Sequence, residues 1–86
     1  MTPMTADEIA NWLRARIAKE VGISVDKIQI DEPFVAFGID SAGAVMIAAD
    51  LEAHVRTKIH PGLLWDFPDV GSLARYVAEQ VNTEAK

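Results

Sequence analysis

The sequence predicts an all-α fold, a small antiparallel helical bundle of three main helices plus one short helix. Three observations carry that expectation. Apolar residues recur three and four positions apart in three separate stretches, the pattern of one buried helix face. A capping residue precedes each stretch: Thr5, Asp40 and Asp69. No stretch sustains the strict alternation of a strand. The 86 residues leave room for one domain, 1–86, with an ordered core over about 5–82.

The first helix opens with a capping box, Thr5-Ala6-Asp7-Glu8, in which Glu8 reaches back to the cap. Ile9, Trp12, Leu13, Ile17 and Val21 form its apolar face, and Arg14, Arg16, Lys19 and Glu20 lie mainly off it. Gly22 closes it. Trp12 reads as a packing residue at the core edge. A long connection follows from Ile23 to Ile39. Ser24 to Lys27 makes a short helical turn there, and Pro33 breaks any helix. Phe34 and Phe37 are expected to fold beneath the connection and pin it to the bundle.

The second helix starts at Asp40 and runs to about Val55 or Thr57. Ala44, Ile47, Ala48, Leu51 and Val55 make its core stripe, with Ala42, Val45, Met46 and Ala49 wholly or partly outside it. Val45 either faces a partner or packs beneath the preceding loop. Met46 is placed on an interface, where its flexible thioether suits an adaptable surface. Pro61 starts a short helix, Gly62-Leu63-Leu64-Trp65-Asp66, which Pro68 stops. Ile59, one of the two leucines and Phe67 belong to the core. Trp65 stands at a core edge or at a partner contact. Asp69 caps a last helix from Val70 to about Val81, with Leu73, Ala74, Val77 and Val81 inward and Tyr76 at the side. Met1 to Met4 and Asn82 to Lys86 are expected to fray.

The start of the second helix carries the chemistry. In Phe37-Gly38-Ile39-Asp40-Ser41-Ala42-Gly43, Asp40 is the N-cap and Ser41 the first helical residue, on a rigid element but at its exposed end. A phosphate ester on the Ser41 hydroxyl would lie beside unpaired backbone N–H groups at the positive end of the helix dipole. Asp40 can also help to bind a divalent cation brought by a phosphate donor.

Composition narrows the function. The formal net charge of -5 argues against nucleic acid as a partner, because such binding needs a basic footprint. Cysteine is absent, which removes disulfides, thiolate metal sites and a cysteine nucleophile, and fits a cytoplasmic protein. No apolar run has the length of a membrane span. No metal site is expected: two histidines, His54 and His60, make a poor ligand set.

Several motifs together resemble the acyl carrier proteins, in particular carrier domains of polyketide assembly lines. The lead helix, Ile9-x-x-Trp12-Leu13-x-x-x-Ile17-Ala18, is similar to theirs, and so are Pro33-Phe34-x-x-Phe37-Gly38-Ile39-Asp40-Ser41 and Asp50-Leu51-Glu52. The ending Leu63-Leu64-Trp65-Asp66-Phe67-Pro68-Asp69-Val70-x-x-Leu73-Ala74 matches theirs at the right separation. The resemblance implies that Ser41 carries a covalent 4'-phosphopantetheine arm and that Asp40 assists its transfer from coenzyme A with magnesium. The arm's thiol then holds an acyl group as a thioester. Implied partners are a phosphopantetheinyl transferase, an acyl-loading enzyme (an acyltransferase or an acyl-adenylating ligase), and a ketosynthase or other assembly-line enzyme. The implied interface is Ile39, Ala42, Val45, Met46, Ala49 and Trp65, on a monomer. Met1 and the domain-sized length suit a free-standing carrier, and an excised domain of a larger synthase would look the same.

Two features depart from the family pattern. Position 42 is alanine where a larger apolar residue is usual, and no acid follows Asp40 until Asp50. The second feature resembles polyketide or mixed polyketide–peptide systems more than fatty-acid carriers. Gly38-Ile39-Asp40-Ser41 also differs from the G-G-x-S of peptidyl carriers, which favours acyl or ketide cargo over aminoacyl cargo. Fatty-acid and peptidyl carriers remain the alternative readings, followed by an unmodified helical interaction module. An enzyme is not expected, and no catalytic residue is assigned. His54 lies thirteen positions beyond Ser41 on one helix, roughly 20 Å away. The spacing G-x-x-S-x-G is also not that of a nucleophile elbow.

Overall fold

In a computed structural model, which describes residues 4–84, the chain forms four helices. They are α1 (Ala6–Val21), α2 (Ser41–Val55), α3 (Leu63–Asp66) and α4 (Val70–Glu84). Two 3-10 turns, Val25–Lys27 and Phe34–Phe37, lie between α1 and α2. Strand pairing among the described residues is limited to one isolated antiparallel bridge, Pro33 with Asp69. The radius of gyration is 11.9 Å, against about 12 Å for a compact chain of this length.

The caps at Thr5, Gly22 and Asp69 act as expected. Thr5 caps α1: its side chain accepts from the Glu8 amide at 3.1 Å while the Glu8 carboxylate accepts from the Thr5 amide at 3.3 Å. Gly22 ends the helix with its amide on Ala18 O. Asp69 accepts from the Ser72 amide at 2.8 Å at the start of α4. That helix runs to Glu84, past the expected end at Val81, so Asn82 to Glu84 remain helical. The fraying expected of Met1–Pro3 and of Ala85 and Lys86 lies outside the described residues. Pro61 does not open α3. It sits in the turn before it, and Gly62 occupies the cap position. Pro33 similarly precedes a 3-10 turn rather than merely breaking a helix.

α1 packs chiefly on α4, with α2 alongside. Ile9, Leu13 and Ile17 meet Val70, Leu73, Ala74 and Val77 in one core, which Ala44, Ile47, Ala48, Leu51 and Val55 of α2 complete. Of the two leucines, Leu64 is buried and Leu63 only partly so. Phe67 is partly buried and stacks on Tyr76, ring centroids 4.5 Å apart. Trp12, at the core edge, stacks on His54 at 4.8 Å.

The long connection is held at several points. Ile28 and Phe34 insert into the core. Arg14 donates to Ile28 O at 2.8 Å and to Val25 O at 3.0 Å. The Phe34 amide donates to Pro68 O at 2.7 Å, and the Gly71 amide donates to Ile30 O at 2.8 Å. The connection is thus fastened to α1 on one side and to the start of α4 on the other, which fixes the point at which the chain enters α2.

Candidate functional site

The site is built by the residues that lead into α2. Phe34 anchors the 3-10 turn in the core. Gly38 ends that turn at φ 79°, a left-handed conformation that disfavours side chains, with its amide on Val35 O at 3.1 Å. The reversal aims Ile39 inward. Ile39 is only 6% exposed and belongs to the core. The expectation that it contributes to a partner interface is therefore corrected: as the last apolar residue before the cap, it plugs the bundle instead.

Asp40 follows in extended conformation, φ -95° and ψ -176°. Its Oδ1 accepts from the Gly43 amide at 2.8 Å, and its carbonyl accepts from the Ala44 amide at 2.9 Å. Ser41 begins the helix and is exposed. Among the described residues, no protein acceptor takes the Ser41 or Ala42 amide. An exposed hydroxyl therefore stands beside two unpaired N–H groups at the positive end of a four-turn helix, which suits a phosphate ester.

Beside this end lies an open cleft of about 280 Å³, lined in part by Glu20, Phe37, Asp40 and Gly43. Glu20 is held by Arg16 at 2.9 Å, and Arg16 also binds Asp50 of α2 at 2.7 Å. Burial acts to lower the Arg16 pKa. Its hydrogen bonds and charge interactions with Asp50 and Glu20 outweigh burial and raise it above the usual guanidinium value. This link across α1 and α2 was not predicted, because Arg16 falls off the apolar face. Its signal in the sequence is only the i, i+4 pair with Glu20.

The other expected interface residues lie at the surface. Val45 is 50% and Met46 56% exposed, and Ala42 and Ala49 are exposed. Val45 is thus not packed away beneath the loop. Trp65 is 48% exposed on α3. Neither histidine serves Ser41: His54 stacks on Trp12, and His60 Nδ1 accepts from the Gly62 amide at 2.9 Å. No group of three or more metal-ligating side chains occurs among the described residues.

Residues 11–77 match the family described as the phosphopantetheine attachment site. The chain belongs to that family. Its cofactor is therefore a covalently attached 4'-phosphopantetheine. The chain is similar to 5-methyl-1-naphthoate synthase of Streptomyces sahachiroi, 33% identical over 66 residues that make up 77% of this chain and 4% of that protein. It is 26% identical over 78 residues to a polyketide synthase of Bacillus subtilis, across 91% of this chain and 2% of that protein. This phosphopantetheine-family chain thus spans only a small fraction of these relatives. A free-standing peptidyl carrier protein from Acinetobacter baumannii has the same fold, with a TM-score of 0.83 at 29% identity, over 95% of this chain and 98% of that one. In the described residues of this carrier, no helix is long and apolar enough to cross a membrane.

Proposed function

We propose that Ser41 is the attachment residue and that the chain is a single carrier domain, 1–86, of a polyketide or mixed polyketide–peptide assembly line. One observation carries this reading: within the span that matches the family, Ser41 is an exposed serine at the first position of a helix, with unpaired amides beside it.

The residues divide the work. Ser41 Oγ supplies the ester oxygen, and the free Ser41 and Ala42 amides favour the phosphate's negative charge. The carboxylate of Asp40 next to the same site repels a phosphate unless a cation lies between them. Asp40 therefore suits a transfer that uses magnesium. Gly38 and Ile39 hold the serine outward by turning the backbone and burying the residue next to the cap. Once attached, the arm supplies a terminal thiol to a chain that has no cysteine of its own. The protein contributes no bond-breaking group. It tethers cargo and raises its effective concentration for enzymes that do the chemistry.

The proposed partners are a phosphopantetheinyl transferase, an acyltransferase or acyl-adenylating ligase that loads the arm, and a ketosynthase or similar enzyme, all acting in the cytoplasm on a monomeric carrier. Docking falls to Ala42, Val45, Met46, Ala49 and Trp65. The likeness to the Bacillus subtilis polyketide synthase and Ile39 in place of the second glycine of G-G-x-S support ketide cargo.

The test is the intact mass of the protein after incubation with coenzyme A, magnesium and a broad-specificity transferase. One added arm on the wild type and none on Ser41→Ala is the expected result. Equal modification of Ser41→Ala, or none on folded wild type, overturns the assignment.

A further inference from the structure

The open cleft at the head of α2 is lined on one side by Glu20 and Val21, from the last turn of α1, and on the other by Phe37, Gly38, Asp40 and Gly43. At about 280 Å³ it is close to the ~300 Å³ at which small-molecule pockets begin. Its character is set by two carboxylates. Glu20 Oε1 is taken by Arg16 at 2.9 Å, and Arg16 is fixed in turn on Asp50 at 2.7 Å, so the Glu20 carboxylate is held in place. Glu20 Oε2 has no hydrogen-bond partner among the described residues. A Cβ on Gly43 would stand 3.6 Å from this oxygen and 3.3 Å from Asp40 Oδ1. Glycine therefore keeps open the gap between the two carboxylates, at a helical position where alanine is the better helix former.

The segment that enters α2 offers backbone groups. Among the described residues, no protein acceptor takes the Ile39 or Asp40 amide, and no backbone amide donates to the Gly38 or Ile39 carbonyl. The cleft thus presents a fixed anionic acceptor beside a short run of unpaired peptide groups. Such a lining suits a neutral, extended ligand that carries amides of its own. It does not suit a phosphate or a carboxylate, which Glu20 and Asp40 repel. Beyond its phosphate, the 4'-phosphopantetheine arm has the matching composition: a hydroxyl, two amides and a thiol, with no fixed charge.

We infer that, between visits to partner enzymes, the arm folds back into this cleft, where Glu20 Oε2 accepts one of its amide N–H groups and the backbone of residues 38–40 pairs with its other amide. The inference rests on attachment at Ser41, which lies between Asp40 and Gly43 of the cleft. Arg16 is a positioning residue: it holds Glu20 at the cleft and touches no part of the arm. The tether keeps the arm at a high effective concentration, so weak pairing is enough to populate the docked state. The same weakness lets a partner withdraw the arm. The docked arm covers Glu20 and Gly43 and leaves the outward face of α2 clear.

The test compares nuclear magnetic resonance spectra of the isotope-labelled chain before and after arm addition, with addition verified by intact mass. Esterification by itself disturbs the amides next to Ser41, so Glu20 and Val21, on another helix, are the diagnostic positions. Both are expected to shift together with Phe37, and the methyl groups of the arm should show through-space contacts with Gly43 or Phe37. In Glu20→Ala the ratio of docked to free arm should fall about tenfold, the lower end for one hydrogen bond to a charged group. Gly43→Ala should lower it as well, because the added Cβ occupies the gap. Lys27→Ala, which does not line the cleft, should leave the ratio unchanged. A fully loaded chain whose Glu20 and Val21 amides stay in place overturns the proposal, and so does an arm that contacts only Val45 and Trp65 or an arm unaffected by Glu20→Ala. Each of those results leaves attachment at Ser41 standing. A folded chain that gains no arm instead overturns the carrier reading, and this inference with it.

Discussion

Asp40 Oδ1 and the Gly43 backbone are in close contact: the amide donates to that oxygen at 2.8 Å, and a Cβ on Gly43 would stand 3.3 Å from it. Glu20 Oε2 would be 3.6 Å from the same Cβ. The cap and the glycine are therefore one feature. Gly43→Ala ordinarily yields about 1 kcal/mol of helix propensity. Here the cap oxygen cannot retreat without lengthening its own hydrogen bond. The expected net gain in urea denaturation is nil or negative, and a stabilisation approaching 1 kcal/mol would show that the cap yields freely.

Capping and assistance to modification separate at Asp40. Asp40→Ala is expected to lose about 1 kcal/mol with the cap. Asp40→Asn keeps an acceptor for the Gly43 amide and should fall within roughly 0.5 kcal/mol of wild type, since asparagine caps helices about as well. If the carboxylate also works with magnesium, the asparagine variant is modified more slowly at equal stability. Rates of arm addition across a magnesium series measure this, and an unchanged rate assigns Asp40 to capping alone.

Arg14 fastens the long connection through Ile28 O and Val25 O. Hydrogen bonds from a charged donor contribute roughly 1.5–3 kcal/mol, and the exposure of the Val25 contact places Arg14→Ala near the lower end. Amide hydrogen exchange should quicken over residues 25–39 while the amides of α4 keep their protection. Uniform loss of protection would mean that the connection and the bundle open together.

Arg16 joins α1 to α2 through Asp50, with Glu20 on its other side. Arg16→Met is expected to cost about 1 kcal/mol, the upper range for ion pairs near a surface. A folded-state pKa raised above the unfolded value gives stabilisation that is complete below the unfolded value and lost as pH rises through the folded one. For a guanidinium that window lies far above neutrality. The difference between wild type and variant should thus stay constant from about pH 6 to 9; denaturation curves at both ends check it.

The core between α1 and α4 tolerates least. Leu73 is fully buried against that seam. Leu73→Ala is expected to cost 2–5 kcal/mol, roughly, a large part of what a domain of this size has. Val45→Asp, on the exposed stripe, should stay within about 0.5 kcal/mol of wild type while weakening transfer of cargo to partner enzymes. Thermal melts of the two variants test the contrast between inner and outer faces.

How much of this was legible follows the range of the interactions. Thr5, Asp40, Asp69 and Gly22 act within four residues of their own positions, so the helix ends could be read from local order. The core stripe of α2, from Ala44 to Val55, follows equally from period alone, and Ser41 at the first helical position follows from the cap before it. Two local signals misled, Pro61 as the start of α3 and Val81 as the end of α4; the other failures were nonlocal. Ile39 belongs to the core because the Gly38 reversal and the buried Phe34 set the chain's path before the cap, and no spacing rule applies in an irregular segment. Arg14 and Arg16 look like solvated residues on a helical wheel. They become fasteners because segments 14 and 34 positions away arrive beside them. Sequence by itself determined the helices, their caps and the serine at the head of α2, since those depend on near neighbours. The tertiary structure decided which residues before the cap face inward, how the long connection is held between α1 and α4, and which charges pair across α1 and α2, since those depend on chain segments that only packing brings together.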